Sequence, residues 1–328
     1  MSARRPALLL PVLLLIAGLA GLAFGQVWVG PDVLWHGAVT GEGAGAMMLS
    51  TFRGPRVAVA LGAGAALGLS GALFQTLFRN PLASPDLIGF TSGAALAVVA
   101  GTALGLMWPM PLLAAGGGLA AALLVALLSY RRGHAVPPLT VILVGLGVGF
   151  VTSALAMFLM SSLPSNTAAE AQRWMTGSLA ARDWGHVAQV WLPGGVLAIL
   201  LLGQMRWLAA LELGEEMARA LGLRVAAARR MLVATGVLLA AVAVAVAGPV
   251  PFVALMAPPL GQRLSGARGL AGRMLAAAAA GAVVLAGADT LARTVIPGVE
   301  LPAGVMTGLL GAPYLLWRLM REMKGGAL

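Results

Sequence analysis

The sequence contains no cysteine and only one lysine, Lys324. The lack of cysteine excludes disulfides, thiolate metal sites and cysteine nucleophiles, and it says little about compartment. No Gly-x-x-x-x-Gly-Lys-Ser/Thr motif occurs, so the chain has no phosphate-binding loop for hydrolysing ATP. The three histidines lie scattered in loops without ligand spacing. We therefore predict neither a catalytic residue nor a metal site.

Charge is also scarce, because only 10% of the residues are charged while 60% are hydrophobic, and the mean hydropathy is +0.94. These values exclude an ordinary soluble domain and predict an all-α polytopic membrane protein. The net charge of +10 is compatible with a nucleic-acid partner. Positive charge that collects in cytoplasmic loops explains it better, so no nucleic-acid partner is predicted.

Ten segments are predicted to cross the membrane or to enter it. The eighth is too short to cross as an exposed helix, so it is interpreted as a half-length helix shielded by protein. The first is interpreted as a retained helix rather than a signal peptide. Residues 31–52 are predicted to form a polar loop, and residues 164–186 an external segment. The ten segments lie at about 7–29, 57–78, 87–107, 112–130, 139–163, 187–207, 231–247, 252–260, 274–296 and 301–318.

The distribution of basic residues predicts the orientation of the chain. With ten crossings and a cytoplasmic N-terminus, 16 of the 21 basic residues fall on the cytoplasmic side. This matches the enrichment of Lys and Arg in cytoplasmic loops, so both termini are predicted to be cytoplasmic. The basic residues left outside are Arg53, Arg56, Arg173, Arg182 and Arg293.

The densest acidic stretch, residues 211–223, contains three of the 11 acidic residues. It is predicted to form a short cytoplasmic helix with Gly214 as N-cap and a left-handed end at Gly222. A helix of about seven residues is marginal alone in water, so tertiary contacts must support it. The polar face carries Glu215, Glu216 and Arg219, and the opposite face carries Leu213, Met217 and Leu221.

The positions of the acids also bear on the source of energy. Every Asp and Glu falls in a predicted loop or near the end of a predicted span. Ion-coupled carriers usually keep acids or histidines near the middle of the bilayer, where a charge costs about 3 kcal/mol. Proton or sodium coupling is therefore disfavoured, and the energy for transport is expected to come from another subunit.

Motifs follow one another from about residue 50 to the C-terminus. They include Arg53-Gly-Pro-Arg56, Gly68-Leu-Ser-Gly71-Ala-Leu-Phe-Gln75, Arg79-Asn-Pro-Leu-Ala-Ser-Pro-Asp86, Trp174-Met-Thr-Gly-Ser-Leu179, Leu213-Gly-Glu-Glu-Met-Ala-Arg-Ala-Leu-Gly222, Ala247-Gly-Pro-Val-Pro251 and Glu300-Leu-Pro-Ala-Gly304. Together they resemble the permease family of iron-siderophore, haem and cobalamin ABC importers. The resemblance implies a type II ABC importer permease with about ten transmembrane helices, in a single permease domain over residues 1–328. It also implies the bacterial cytoplasmic (inner) membrane.

The resemblance implies partners, and no cofactor in this chain. ATP and Mg²⁺ would be held by separate ABC ATPase subunits. A periplasmic or lipid-anchored substrate-binding protein would deliver the substrate, and a second permease, identical or paralogous, would complete the pathway. The motifs at 84–90 and 251–258 look more like ferric-siderophore permeases, especially catecholate ones, than like the haem or cobalamin alternatives.

The family resemblance also implies which residues dock the binding protein and which couple to the ATPase. Arg53, Arg56 and Arg293 would meet glutamates of the binding protein, with snorkelling arginines at helix ends as the alternative. The coupling loop, residues 208–230, would enter a cleft of the ATPase with its acidic face, while the apolar face packs on the permease. Its implied contact residues are Gly214, Glu215, Glu216, Met217, Ala218, Arg219, Leu221 and Gly222.

The resemblance likewise implies residues of a cytoplasmic gate and of the translocation pathway. Asn80 and Leu82 would form a cytoplasmic gate, with capping of the turn before Pro81 as the alternative role of Asn80. One departure from the family is Pro259, where many members have a histidine after Pro258. The glycines on pathway-lining spans are Gly145, Gly149, Gly304 and Gly308, for which helix packing is the simpler explanation.

Overall fold

The computed structural model describes residues 9–130 and 138–324, which form helices and turns without a β-strand. The α-helices are α1 Leu9–Ala23, α2 Pro31–Thr40, α3 Gly43–Met47, α4 Arg53–Phe78, α5 Phe90–Ala103, α6 Met110–Leu128, α7 Pro138–Ser161, α8 Ser165–Met175, α9 Trp184–Glu212, α10 Glu215–Ala220, α11 Val225–Ala247, α12 Val253–Ser265, α13 Leu270–Thr294 and α14 Ala303–Lys324. A π-helical turn, Met48–Phe52, joins α3 to α4, and a 3-10 turn, Pro85–Ile88, precedes α5.

The all-α class and the order of the predicted segments are confirmed. Ten helices, α1, α4 to α7, α9 and α11 to α14, match the predicted segments one by one. Within the described ranges, six helical stretches are long and apolar enough to cross a membrane, and α1 and α5 are shorter apolar helices. Helix α12 has 13 residues and a largely buried face, as predicted for a shielded half-length helix. That all ten segments cross, and that both termini are cytoplasmic, stay predictions.

Helix α4 lies at the centre of the packing and contacts α13, α11, α12 and α9. Two of its glycines face α13, because a Cβ on Gly64 would overlap the backbone of Gly281, and one on Gly68 the backbone of Ala277. Small residues at such a contact let the two backbones approach closely, which increases van der Waals packing between helices in a membrane. In the sequence, Gly64, Gly68 and Gly71 form a stripe of small residues along this segment, and in the structure that stripe is a helix-packing surface.

Polar side chains add contacts between the same central helices. The Ser70 hydroxyl on α4 donates to the carbonyl of Gly236 on α11 at 2.7 Å. The Trp191 indole on α9 donates to the carbonyl of Ala58 on α4 at 2.9 Å. The Ser70 hydroxyl is thereby satisfied inside the helix bundle, and the indole of the half-exposed Trp191 is satisfied at its surface, as polar groups at membrane depth require.

The polar segments 31–52 and 164–186 both contain helices, and the first of them differs from its predicted form. Residues 31–52, predicted to be a loop, are mostly helical, because Pro31 suits the first turn of α2 and Gly41 ends it with a left-handed φ of 71°. A Cβ on Gly37 would overlap Gly45, so α2 and α3 pack tightly together. The segment 164–186 contains α8, and the Asp183 carboxylate accepts from the amide of His186 at 3.0 Å to cap α9.

Helix α12 contains two adjacent prolines, Pro258 and Pro259. Neither has an amide hydrogen. The carbonyls of Ala254 and Leu255, four residues earlier, therefore cannot accept the usual hydrogen bonds within the helix. Helix α4 compensates, because the Gln75 side-chain amide donates to the carbonyl of Leu255 at 3.0 Å. The carbonyl of Ala254 packs against the Cα of Gly71 instead, a geometry suited to a weak Cα–H···O contact. The carbonyl that Pro259 leaves without a helical donor, that of Leu255, therefore finds its donor on α4. Pro259 is the position at which the chain departs from the family motif.

This compensation predicts a coupled effect of Gln75 and Pro259. Gln75→Leu should destabilise the protein by about 1–3 kcal/mol, because the Leu255 carbonyl loses its donor. In a Pro259→Ala background the loss should be much smaller, since the amide of residue 259 can then bond to Leu255 within the helix. Thermal unfolding in detergent of the wild type, the two single variants and the double variant measures the cost of Gln75→Leu in each background. An equal cost of Gln75→Leu in both backgrounds would contradict the assignment.

Candidate functional site

Charged residues gather at the two ends of the antiparallel pair α4 and α13. We call Arg53, Arg56, Asp289, Arg293 and Glu300 the outer cluster, and Arg79, Glu212, Glu215, Arg229 and Arg273 the inner cluster. The names follow the predicted orientation of the chain. Helix α4 has 26 residues, which corresponds to a length of about 39 Å and so separates the two clusters by roughly a bilayer core.

Asp289 is the centre of the outer cluster. Its carboxylate accepts from Nε and Nη2 of Arg56, at 3.0 and 2.7 Å, and forms an ion pair with Nε of Arg293 at 3.2 Å. Nη1 of Arg56 also contacts the Glu300 carboxylate. Only 1% of Asp289 is exposed. A buried acid of this kind is tolerated because two guanidinium groups pair with it.

The outer cluster also fixes the end of α1. Nη1 of Arg53 donates to the carbonyls of Leu22 and Ala23, at 2.8 and 2.7 Å. Nη2 of Arg293 donates to the carbonyl of Gly21 at 3.1 Å. The C-terminal carbonyls of a helix carry partial negative charge, so both arginines stabilise this end. Helices α1, α4 and α13 are therefore joined at one point.

The three arginines implied as docking residues are brought together by the fold but are buried. Arg53, Arg56 and Arg293 have exposures of 7%, 8% and 6%, whereas 37% of the Glu300 side chain is exposed. These side chains are buried because Asp289, an acid far along the sequence, and the carbonyls of α1 supply partners inside the protein. Their role in docking stays a prediction.

The outer cluster nevertheless carries an excess of positive charge. Arg182 lies within range of electrostatic repulsion by Arg56. Burial lowers the pKa of the Arg182 guanidinium, and the positive charge of Arg56 lowers it further. With Arg182 and the neighbouring Asp183, which also acts electrostatically on Arg182, four arginines stand against three carboxylates. The surface over this cluster is consequently electropositive.

At the opposite end, both boundaries of the short helix α10 are confirmed. Gly214 is the N-cap with a φ of 117°, and Gly222 has a left-handed φ of 79°. The amides of Gly222 and Leu223 donate to the carbonyls of Arg219 and Ala218, at 2.9 and 3.0 Å. This is the bonding pattern of a Schellman cap. The local sequence therefore suffices to start and stop this helix.

Ion pairs fix α10 to the rest of the chain. Glu215 contacts Arg229 on α11 at 2.6 Å and Arg219 on its own helix at 3.2 Å. Glu212, at the end of α9, contacts Arg273 on α13 at 2.5 Å. Neither Arg229 nor Arg273 was predicted as a partner. The arginines that follow the acidic stretch were a signal for the pair with Arg229, whereas Arg273 is 61 positions from Glu212 and only the fold brings the two together.

The predicted faces of α10 are wrong. Ala218 is the buried residue, while the three residues expected to pack inward have exposed fractions of 52% to 67%. The cause is the ion pair between Glu215 and Arg229 on α11, which orients this side of α10 toward the permease. The small Ala218, rather than the large apolar residues, is therefore buried. The exposed apolar residues, which we call the α10 apolar surface, are Leu213, Met217 and Leu221.

The segment implied as a gate is a tight turn after α4. The Asn80 side-chain oxygen accepts from the amide of Leu82 at 2.9 Å, and the Asn80 carbonyl accepts from the amide of Ala83 at 3.0 Å. Asn80 thus makes the turn-stabilising bond that the simpler alternative expected. Leu82 is half-buried. A gating role of this turn stays a prediction.

The four implied pathway glycines differ in their surroundings. Gly145 is buried and Gly149 is half-buried, on the face of α7 that packs against the turn before α5. Gly304 donates to the carbonyl of Gly177 at 3.0 Å and leaves no space for a Cβ. Gly308 has no heavy atom within 4 Å of a built Cβ. Gly308 alone among the four therefore lies beside open space.

Within residues 9–130 and 138–324, no group of three His, Asp or Glu side chains is placed to hold a metal ion. The acids of both clusters contact arginines instead.

These features define a multi-pass helical permease, with charged clusters at both ends of a glycine-packed helix pair. The chain belongs to the FecCD transport family, which matches residues 13–321. It is 36% identical to the ferric enterobactin transport system permease protein FepG of Escherichia coli, over 97% of this chain and 96% of that protein. It is 35% identical to the Fe(3+)-citrate import system permease protein YfmE of Bacillus subtilis, over 97% and 95% of the two chains.

Further relatives and solved structures agree with this class. The vitamin B12 import system permease protein BtuC of Klebsiella pneumoniae is 35% identical, over 97% of this chain and 94% of that protein. A metal-chelate type ABC transporter solved in an inward-facing conformation has a TM-score of 0.82 and 27% identity, and covers 97% of this chain and 99% of that one. PsaBC from Streptococcus pneumoniae, with a TM-score of 0.61 and 17% identity, shares the fold.

The outer cluster generates a prediction about stability. Asp289→Asn should destabilise the protein by about 3 kcal/mol or more, because two buried arginines lose their shared acid. Glu300→Gln is the matched control and should cost about 1 kcal/mol or less, since its carboxylate is partly solvated. Thermal unfolding in detergent compares the two variants. Equal small costs would show that Asp289 is not the centre of the cluster.

Proposed function

We propose that this chain is the permease subunit of an ATP-driven importer that moves a ferric siderophore across the bacterial cytoplasmic (inner) membrane. The observation that carries the proposal is the α10 apolar surface, which is exposed on a helix that ion pairs fix to the permease. The chain has no phosphate-binding loop. A separate ATPase, holding ATP and Mg²⁺, would therefore supply the energy, and the chain itself would not be an enzyme.

The α10 apolar surface is the proposed ATPase contact. Leu213, Met217 and Leu221 are each more than half exposed, and exposed apolar groups of this kind mark a partner-binding surface. Inserted into a cleft they would be removed from water, which favours binding. Glu215 and Arg229 would hold the base of the helix, so that force applied to α10 reaches α11.

The outer cluster is the proposed docking region for a substrate-binding protein. Its excess of arginine over carboxylate would attract acidic groups of that protein and orient its approach. Because Arg53, Arg56 and Arg293 are buried, they would contribute through their field unless the partner displaces Glu300. A second permease, identical or paralogous, would complete the translocation pathway.

The substrate proposal depends on motifs and relatives. FepG and YfmE are named for ferric enterobactin and Fe(3+)-citrate, whereas BtuC is named for vitamin B12. The motifs at 84–90 and 251–258 favour a ferric siderophore, particularly of the catecholate type. Haem or cobalamin is the alternative within the same fold.

An ion-coupled carrier is the less favoured alternative class. Asp289 is the acid that lies deepest in a described apolar helix, and it is paired with Arg56 and Arg293. Both ion pairs occupy this carboxylate, and the two guanidinium groups beside it would repel a coupling cation.

Reconstitution tests the function directly. The permease, co-purified with its ATPase and binding protein, should import an iron-loaded catecholate siderophore into proteoliposomes when ATP is present. Ferric citrate, haem and cobalamin are compared in parallel, and ionophores should have no effect. Preferred uptake of haem or cobalamin would overturn the substrate proposal, and uptake abolished by ionophores would overturn the mechanism.

The proposed ATPase contact predicts the effect of a single charge. Met217→Asp should uncouple ATP hydrolysis from transport by about fivefold or more, because a carboxylate would be desolvated in the ATPase cleft. The variant should fold normally, since Met217 is exposed. Met107→Asp makes the same change at a fully exposed methionine outside the coupling loop. ATP hydrolysed per substrate imported is measured for both, and normal coupling in Met217→Asp would argue against the contact.

A further inference from the structure

Arg79 ends α4 in an unusual backbone conformation. Its φ of 49° and ψ of 34° lie in the left-handed region, which is strained for residues other than glycine. The amides of Arg79 and Asn80 donate to the carbonyls of Thr76 and Gln75, at 3.3 and 3.2 Å, as in a Schellman cap. Glycine is the preferred residue at this position, so the turn itself gives no reason for an arginine.

The Arg79 side chain supplies that reason, because it contacts the junction of α9 and α10. Its Nη2 donates to the carbonyl of Leu211 at 2.6 Å and to that of Glu212 at 2.8 Å. These carbonyls belong to the last turn of α9, where the helix dipole attracts a cation. The same nitrogen is 3.7 Å from the position of a Cβ built on Gly214, the N-cap of α10.

The turn that begins with Arg79 contains the residues of the proposed gate. The amides of Leu82 and Ala83 donate to the side-chain oxygen and the carbonyl of Asn80, and these two hydrogen bonds close residues 79–83 into one turn. In the described part of the chain, the side-chain hydrogen bonds between this turn and residues 211–222 are those of Arg79. One guanidinium therefore connects the proposed gate to the base of the proposed coupling helix.

We infer that Arg79 is a positioning residue that transmits movement of α10 to the turn 79–83. The inference rests on the proposed function, in which an ATPase contacts α10 and the turn gates the pathway. The ion pairs Glu215–Arg229 and Glu212–Arg273 fix the same junction to α11 and α13. A shift of α10 consequently moves the end of α9 together with these helices, and Arg79 carries the shift to α4.

Arg79→Gly separates this role from a structural one. Glycine suits the left-handed turn, so the variant should fold and assemble with the ATPase. In proteoliposomes its ATP hydrolysis should stay near the wild-type rate, while ATP consumed per substrate imported should rise about fivefold or more. Arg79→Lys, which keeps a cation for the same carbonyls, should restore part of the coupling. Arg268→Gly is the control, because Arg268 is an exposed arginine in the turn between α12 and α13.

The outcomes distinguish this inference from the proposed function. If the wild-type complex shows no ATP-dependent uptake, the proposed function fails and the inference with it. If the wild type imports substrate and Arg79→Gly keeps the wild-type ratio of ATP to substrate, only the inference is overturned. Equal loss of coupling in Arg268→Gly would overturn it as well.

A distance measurement gives a readout that does not depend on transport. Because the chain has no native cysteine, spin labels on Leu82→Cys and Ala220→Cys report the separation of the turn and α10 in nanodiscs. With Arg79 present, the distance distribution should stay narrow when ATPase and ATP are added, and Arg79→Gly should broaden it. An equally narrow distribution in Arg79→Gly would show that the bridge is not needed.

Discussion

The close contact between α4 and α13 is the constraint on which the rest of the structure depends. Gly64, Gly68 and Gly281 remove the side chains that would otherwise keep the two backbones apart. Their antiparallel alignment places Arg56 beside Asp289 at one end and brings the start of α13 near the inner cluster at the other. The same helix, α4, carries Gln75 toward α12. A change in the spacing of this pair would therefore disturb both charged clusters and the proline-containing helix at once.

Charge is used in the two clusters for different purposes. In the outer cluster, a buried acid and helix-end carbonyls hold arginines that join three helices, which makes this end rigid. In the inner cluster, the pairs are only partly buried and connect short segments to long helices. Ion pairs near solvent are weaker and rearrange more readily than buried ones. The buried contacts at the outer end are thus more costly to break than the partly solvated ones at the inner end.

The sequence predicts those features that depend on local pattern. The apolar segments, the shielded α12, the glycine stripe on α4 and both ends of α10 follow from periodicity, length and cap residues. The burial of Arg56 and the orientation of α10 could not be predicted, because they depend on Asp289 and Arg229, whose proximity only the fold creates. An amphipathic pattern also shows two faces of a helix without showing which one the protein covers. The family resemblance named residues that matter, but their contacts had to come from the structure.

The arrangement around the prolines of α12 also constrains how the protein can change over evolutionary time. Pro259 leaves a carbonyl for which Gln75, on another helix and 184 positions earlier, provides the donor. A lineage that replaces Pro259 relaxes the requirement for glutamine at position 75, whereas one that first loses the glutamine is left with an unpaired carbonyl in a membrane helix. The order of substitution is therefore restricted: the glutamine can be present before the proline, but a proline that arises first leaves this carbonyl without a donor.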